Sequence, residues 1–375
     1  MKQRVSVILP TYNRAHLIEE TVQSLLEQTR MPDEILVIDD GSTDATSEVL
    51  ARFDCLTVLR IENGGKAAAL NLALGKVTGD LVWIIDDDDI MLPHACMIMA
   101  TALEAHPDLD FCAGRYIDFE VDKHTGVRNT RPPGFMCISS PEQIFPDLLE
   151  GCFIFQPGLM VRKCVYEAVG PFNTSLVRSQ DYEMILRIAR RHRGMQLDEV
   201  VFLHREHSGQ RGSADENFAA AENSDRWAHF NRIIFSNLLD DLADEEILTE
   251  EDVAHLSARL CRRAALVKRG CIMARQRMWY EAVNSWRKAA AVDSAPLSPL
   301  ERKMLERSPN SPLGAPELFL DSAVRSELKA LMHMASPGPE MMAVLRRASR
   351  WHIRAALRMR DWHRAVHGVR LMLVR

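Results

Sequence analysis

Over roughly its first 120 residues the chain alternates short apolar runs with amphipathic segments, and no other feature restricts the fold as much. Residues 5–9, 34–38, 56–61 and 81–85 read as strands, and residues 17–28, 44–52 and 66–74 as the helices between them. The runs are too short to be lone helices and suit strands buried on both faces. Strands and helices at this spacing build βαβ units around a mainly parallel, Rossmann-like sheet. No Gly-x-Gly-x-x-Gly follows the first run, which argues against a dehydrogenase-type dinucleotide fold.

Each run stops in polar residues. The first ends in Pro10-Thr11-Tyr12-Asn13-Arg14 and the second in Asp39-Asp40-Gly41-Ser42-Thr43-Asp44. Asn63-Gly64-Gly65-Lys66 follows the third, and Asp86-Asp87-Asp88-Asp89 the fourth. Ligands of open α/β sheets bind beyond the carboxyl ends of the strands, so these tips share a cleft. Taken singly, turns and helix caps would explain each: Asp89 or a neighbour could cap a helix that Pro93 opens. Four adjacent carboxylates exceed what capping needs, however, and their repulsion calls for a cation. Mg2+ or Mn2+ takes oxygen ligands and also grips substrate phosphates. Lys66, behind two glycines, either faces such a phosphate or is a solvated lysine at a helix start.

Beyond this region, residues 111–119 read as a strand, Thr125-Gly126 as a hairpin turn and residues 200–203 as a last strand. Residues 130–141, with Pro132-Pro133-Gly134, form a loop that is either an acceptor-side flap or plain surface. Residues 182–191 form a helix burying Ile185 and Ile188. From about residue 217 the pattern is helical, with capping signals at Thr249-Glu250-Glu251-Asp252 and Ser298-Pro299-Leu300-Glu301. The segment from Arg277-Met278-Trp279-Tyr280 to Asp293 looks like a tetratricopeptide-type hairpin, faintly echoed by Arg360-Asp361-Trp362-His363. The chain therefore divides into an α/β domain, residues 1–215, and an all-α, repeat-like domain, residues 216–375.

The net charge of −6 gives no sign of a nucleic-acid partner, but residues 341–375 carry nine arginines against Asp361 alone. There Val344, Ala348, Trp351, Ala355, Met359, Trp362, Val366, Val369 and Leu373 mark one apolar stripe. Arg346, Arg347, Arg350, Arg354, Arg358 and Arg364 fall off it. The stripe either packs on preceding helices or rests on an anionic membrane surface. Eight cysteines without a C-x-x-C pair predict reduced, mostly buried thiols and a cytoplasmic setting. The chain enters its first strand with no signal-peptide pattern ahead of it, and no apolar run is long enough to span a bilayer.

VSVILPTYNRA, VIDDGSTDAT, NGGKAAALN and WIIDDDDIMLP, in this order and spacing, resemble the successive signatures of family-2 glycosyltransferases over roughly residues 3–212. The resemblance implies a GT-A fold and transfer, with inversion, of a sugar from a nucleotide diphosphate, most naturally a UDP-sugar. The acceptor would be a hydroxyl of a glycan, a lipid-linked molecule or a protein. Pro10, Thr11, Tyr12 and Asp40 would line the nucleoside pocket, with Asp40 accepting a base N–H. Asp86-Asp87-Asp88 matches the D-x-D motif: Asp88 would ligate Mn2+ or Mg2+, and Asp86 or Asp87 would touch ribose or metal. VGPFNTSLVRSQDYEMILRIAR resembles the stretch around the catalytic base, which falls on Asp181; Gln180 departs from the acidic residue usual before it. Residues 204–213 resemble the R-x-H segment, so Arg205 and Arg211 would pair with phosphate and His207 would be a further metal ligand. A sugar nucleotidyltransferase would show a Gly-rich basic loop after the first strand, which Pro10–Arg14 is not. Having both Asp88 and Asp181 argues against a non-catalytic nucleotide-sugar-binding scaffold.

Overall fold

The computed structural model describes residues 2–122, 124–131, 139–206, 223–311 and 315–358, together with positions 362, 366 and 369. The chain divides into two compact units, residues 1–148 with 152–220, and residues 149–151 with 221–375.

In the first unit, β1 (Val5–Thr11), α1 (Ile18–Leu26), β2 (Glu34–Asp39), α2 (Thr46–Leu50), β3 (Thr57–Arg60), α3 (Lys66–Leu74) and β4 (Leu81–Ile84) follow the alternation closely. After them come β5 (Ile90–Met91), α4 (Ala95–Ala105), β6 (Phe111–Val121), β7 (Arg128–Thr130) and α5 (Ile144–Leu148). The unit closes with β8 (Leu159–Arg162), α6 (Lys163–Val169), α7 (Gln180–Arg191) and β9 (Gly194–Arg205). The strands form one sheet in the order β3-β2-β1-β4-β8-β6-β9-β5, with β7 on β6. It is parallel across β3-β2-β1-β4, and β8, β5 and β7 add antiparallel neighbours beyond. β1 is buried along its whole length, as a central strand covered on both faces should be. Its register, Thr11 opposite Asp39 and Ile8 opposite Ile84, brings the carboxyl ends of β2, β1 and β4 level. The polar tips therefore lie along one edge.

Several local expectations are corrected. The acidic run leads into the two-residue β5, and α4 starts only at Ala95 with His94 before it, so Pro93 precedes the helix instead of opening it. Asp89 caps nothing: it is buried and accepts the Arg205 backbone N–H at 2.9 Å. β9 is far longer than residues 200–203, because its pairing with β6 shifts register between Ala113 and Tyr116 and this irregularity hides the alternation. The Thr125-Gly126 turn does join β6 to β7, with Gly126 at φ +69. Pro132-Pro133-Gly134 lies outside the described residues. Of the seven described cysteines, all free, only Cys96, Cys112 and Cys271 are buried. The others fall in turns or on outer helix faces, so the expectation of mostly buried thiols fails.

The second unit is helical: α8 (Asn223–Asp241), α9 (Asp244–Ile247), α10 (Glu250–Val253), α11 (Ala258–Arg275), α12 (Trp279–Val292), α13 (Pro299–Arg307), α14 (Pro316–Leu320), α15 (Ser322–Met332) and α16 (Gly338–Arg358). Both expected capping boxes form. Thr249 and Asp252 exchange bonds of 3.1 and 3.2 Å, and Ser298 and Glu301 bonds of 2.7 and 3.2 Å. α11 and α12 pack closely through Gly270, where a Cβ would stand 2.4 Å from the Trp286 ring. In α16, Met341, Met342, Val344 and Leu345 join the core, whereas Arg347, Arg350, Arg354 and Arg358 are exposed. Trp362, Val366 and Val369 are exposed, and the other stripe positions from Met359 onward lie outside the described residues. No helix among the described residues is long and apolar enough to cross a membrane.

Candidate active site

The cleft is built by stitching the strand tips to one another. Asn13, just past β1, sits at φ +53 and accepts backbone N–H bonds from Thr43 (2.7 Å) and Asp44 (3.2 Å). Its own N–H donates to Ser42 Oγ at 2.9 Å, so the first two tips are one structure. Asp39 accepts the Ser42 N–H and the Ser47 hydroxyl. Gly41 needs its φ of +78 and its missing side chain, because a Cβ would meet the Asn63 backbone nitrogen at 2.9 Å. Pro10 and Thr11 are buried in this floor and Tyr12 is half-buried.

Asp40 ties the third tip down. Its carboxylate accepts the backbone N–H groups of Gly64 at 2.8 Å and Gly65 at 2.9 Å, while its carbonyl accepts from Asn63 Nδ2. Burial raises its carboxyl above the usual range, and those two amides pull against the rise. Asp40 thus fixes the turn, with Gly65 at φ +84, that launches α3 at Lys66. From there the Lys66 ammonium reaches Asp86 in an ion pair. Burial works against the charged lysine, but Asp86, then Asp181, then Asp87 outweigh it and raise the ammonium's pKa. Lys66 is therefore not a free solvated lysine: its ammonium is paired with Asp86.

Asp87 pairs with Arg14 (Nε to Oδ1, 3.3 Å). Burial, followed by the charge of Asp88, pushes its carboxyl up to about 6 against the pull of Arg14 and Thr11. Asp88 and Asp89 are braced from behind by Arg205. Its Nε donates to the Asp88 carbonyl at 2.7 Å, it pairs with Glu20 of α1, and its guanidinium lies 4.6 Å from the centre of the Phe119 ring. Arg205 is only 5% exposed, and its guanidinium is engaged with the Asp88 carbonyl and Glu20. Asp181 stands in the first turn of α7, half-buried, and does not act as the cap residue, which is Ser179. His207 and Arg211 lie outside the described residues.

Sequence reasoning missed Arg14, Glu20 and the bracing role of Arg205. Arg14 lay in the first tip and could have been suspected, but the Glu20–Arg205 pair spans 185 residues and left no local signal.

Among the described residues no group of three His, Cys, Asp or Glu side chains makes a ready metal cage. Asp87 and Asp88 nevertheless fit a divalent ion on charge. Burial, followed by the charge of Asp88, disfavours an uncompensated Asp87 carboxylate, and Mg2+-like ions take one or two carboxylates and fill up with phosphate oxygens and water.

Residues 6–160 match the family model described as "Glycosyl transferase family 2". A glycosyltransferase of Rickettsia felis, described as uncharacterized, is 27% identical over 258 residues, covering 67% of this chain and 41% of that protein. The glycosyltransferase GlyG of Streptococcus pneumoniae serotype 4 is 32% identical over 125 residues, 32% of this chain and 41% of its own. The chain thus spans well under half of either relative. Among solved structures, residues 1–349 of S. aureus TarS in complex with UDP-GlcNAc superpose with a TM-score of 0.51 at 18% identity, covering 77% of this chain and 90% of that one. That likeness shows the fold, a GT-A sheet followed by helices. Residues 6–160 of the N-terminal α/β unit thus carry the likeness to glycosyltransferase family 2.

Proposed function

We propose that the chain is an inverting glycosyltransferase that takes a nucleotide-diphosphate sugar, a UDP-sugar first of all, and transfers the sugar to a hydroxyl of a glycan, lipid-linked or protein acceptor in the cytoplasm. Residues 1–215 would be the catalytic domain and residues 216–375 a helical, repeat-like appendage. The observation that carries this reading is the acidic run at the carboxyl edge of the sheet, where Asp86 pairs with Lys66 and Asp87 with Arg14, together with Asp181 in the first turn of α7. An inverting displacement needs a carboxylate for the acceptor proton and, at the opposite end, positive charge to neutralise the departing diphosphate, which carboxylates can supply by holding a cation. Asp181 would take the acceptor proton as its oxygen forms a bond to the anomeric carbon, while the bond from that carbon to the diphosphate oxygen breaks. Asp88 with Asp87 would hold Mn2+ or Mg2+, which supplies charge neutralisation for the departing diphosphate. Pro10, Thr11 and Tyr12 would form the nucleoside floor; Asp40, spent on two amides, would keep lone pairs for a base N–H.

The test is release of UDP from a panel of UDP-sugars with Mn2+ present, alongside thermal shift with the same donors. Asp88→Asn should abolish turnover and weaken UDP binding, because it deletes an anionic ligand. Undiminished turnover in EDTA, or wild-type rates in this variant, would remove the metal from the reading.

A further inference from the structure

The β6–β9 ladder presents different chemistry on its two faces. Beyond the register shift Tyr116 pairs with Phe202, Asp118 with His204 and Phe119 with Arg205. Alternation therefore puts Phe119 and Arg205 on the face that braces Asp88 and Asp89, and Tyr116, Asp118, Phe202 and His204 on the other. On that second face the Tyr116 ring meets Phe155 edge-on, with centroids 4.5 Å apart, and lies 5.5 Å from Phe202 and 5.9 Å from His204. Phe155 and His204 are 5.5 Å apart. Phe202 is fully buried beneath, whereas Tyr116, Phe155 and His204 are only partly covered. His204 Nδ1 is held 2.8 Å from Asp118 Oδ1.

The patch lies one residue along β9 from Arg205, whose Nε donates to the Asp88 carbonyl at 2.7 Å. Tyr182, the neighbour of Asp181, donates its hydroxyl hydrogen bond to the Leu148 carbonyl at the end of α5, and the segment beginning at Cys152 leads from there to Phe155.

We propose that Tyr116, Phe155 and His204 form the acceptor subsite of this enzyme, and that it takes an uncharged pyranose ring, so that the acceptor is a saccharide. The inference rests on the glycosyltransferase reading above. A pyranose offers an apolar C–H face ringed by hydroxyls. The patch answers with ring faces, a phenol, and an imidazole fixed by a carboxylate, which is the mixture of flat apolar wall and few aimed polar groups that small polar ligands use. A lipid chain would leave the Asp118–His204 pair and the phenol unanswered, and an anionic acceptor would be repelled by Asp118.

The test uses the full chain and saturation-transfer NMR with the methyl pyranosides of glucose, galactose, mannose, N-acetylglucosamine and N-acetylgalactosamine. UDP with Mn2+ is titrated separately, and circular dichroism checks the fold of each variant. At least one pyranoside should receive saturation from the wild type, lose about fivefold of it or more in Phe155→Ala, and recover it in Phe155→Tyr. UDP affinity should stay within about twofold of wild type in both variants, because an acceptor subsite makes no contact with the nucleotide. No transfer to any of these sugars, or equal transfer to wild type and Phe155→Ala, overturns the subsite whatever UDP does. A loss of UDP affinity in a folded Phe155→Ala overturns its acceptor role. Failure of the wild type to bind UDP overturns instead the donor reading beneath it.

Discussion

Two ion networks, one in each unit, look alike as contacts and differ in what they leave over. In the helical unit Arg263 and Glu301 are each 1% exposed and meet side by side at 2.7 and 2.8 Å. The remaining guanidinium N–H groups go to the carbonyls of Asp293, Ala295 and Pro296, and Glu301 also accepts the Ser298 N–H at the start of α13. Every donor of that arginine is used, and the pair is closed. At the sheet edge Asp86, Asp87 and Asp181 act on a single Lys66, and Asp87 keeps a raised carboxyl even with Arg14 against it. A balanced, sealed network fixes architecture. An unbalanced one that is half-open to solvent has charge left for a ligand.

The largest effect should come from breaking the sealed pair. Arg263→Ala should cost about 3–5 kcal/mol in urea unfolding by stranding Glu301 in the core, whereas Arg263→Met with Glu301→Leu should recover much of it. Lys66→Ala, at a part-exposed pair, should cost less than about 1 kcal/mol. Equal costs would erase the distinction between the two networks. Next in size, Asp181→Asn should lower transfer by about 10² or more while UDP affinity persists. Losing both together would make Asp181 structural.

A smaller effect sharpens the charge imbalance. A metal binds the ionised carboxylate, and protons compete for Asp87 up to its raised pKa of about 6. Mn2+ affinity should therefore be level above that value and fall by about tenfold per pH unit below it, as read from free Mn2+ by electron paramagnetic resonance. A profile unchanged from neutrality down to the ordinary aspartate range would exclude Asp87 from the metal set. A separate effect concerns α16, where Met341, Met342, Val344 and Leu345 are buried in the helical core. Replacing the exposed Arg347, Arg350, Arg354 and Arg358 by Gln should remove any salt-sensitive sedimentation with anionic vesicles, about 1 kcal/mol for each charge. If the intact chain does not sediment, these arginines are simply solvated.

The start of α3 at Lys66 and both capping boxes were legible because neighbours in sequence make them. The long β9 was not, because its irregular pairing with β6 interrupts the two-residue period on which strand recognition depends. The acidic run and its need for a cation were legible, with a divalent metal as the natural candidate, but the side chains that answer it were not. The fold supplies Lys66 to Asp86 and Arg14 to Asp87, and holds Arg205 behind them against the Asp88 carbonyl.

By itself, then, the sequence determined the strands, the helices between them and the polar residues that end each strand. These follow from hydrophobic period and from consecutive residues, which act over a few positions of chain. Only the tertiary structure decided which charge answers which. Lys66 meets Asp86 across 20 residues, Arg14 meets Asp87 across 73, and Arg205 meets the Asp88 carbonyl across 117. It likewise turned Asp40 toward two glycine amides and gathered Tyr116, Phe155 and His204 into one patch. The physical reason is reach: an ion pair, a hydrogen bond or a ring contact acts over a few ångströms of space, and the sheet's register alone determines which distant residues come that close.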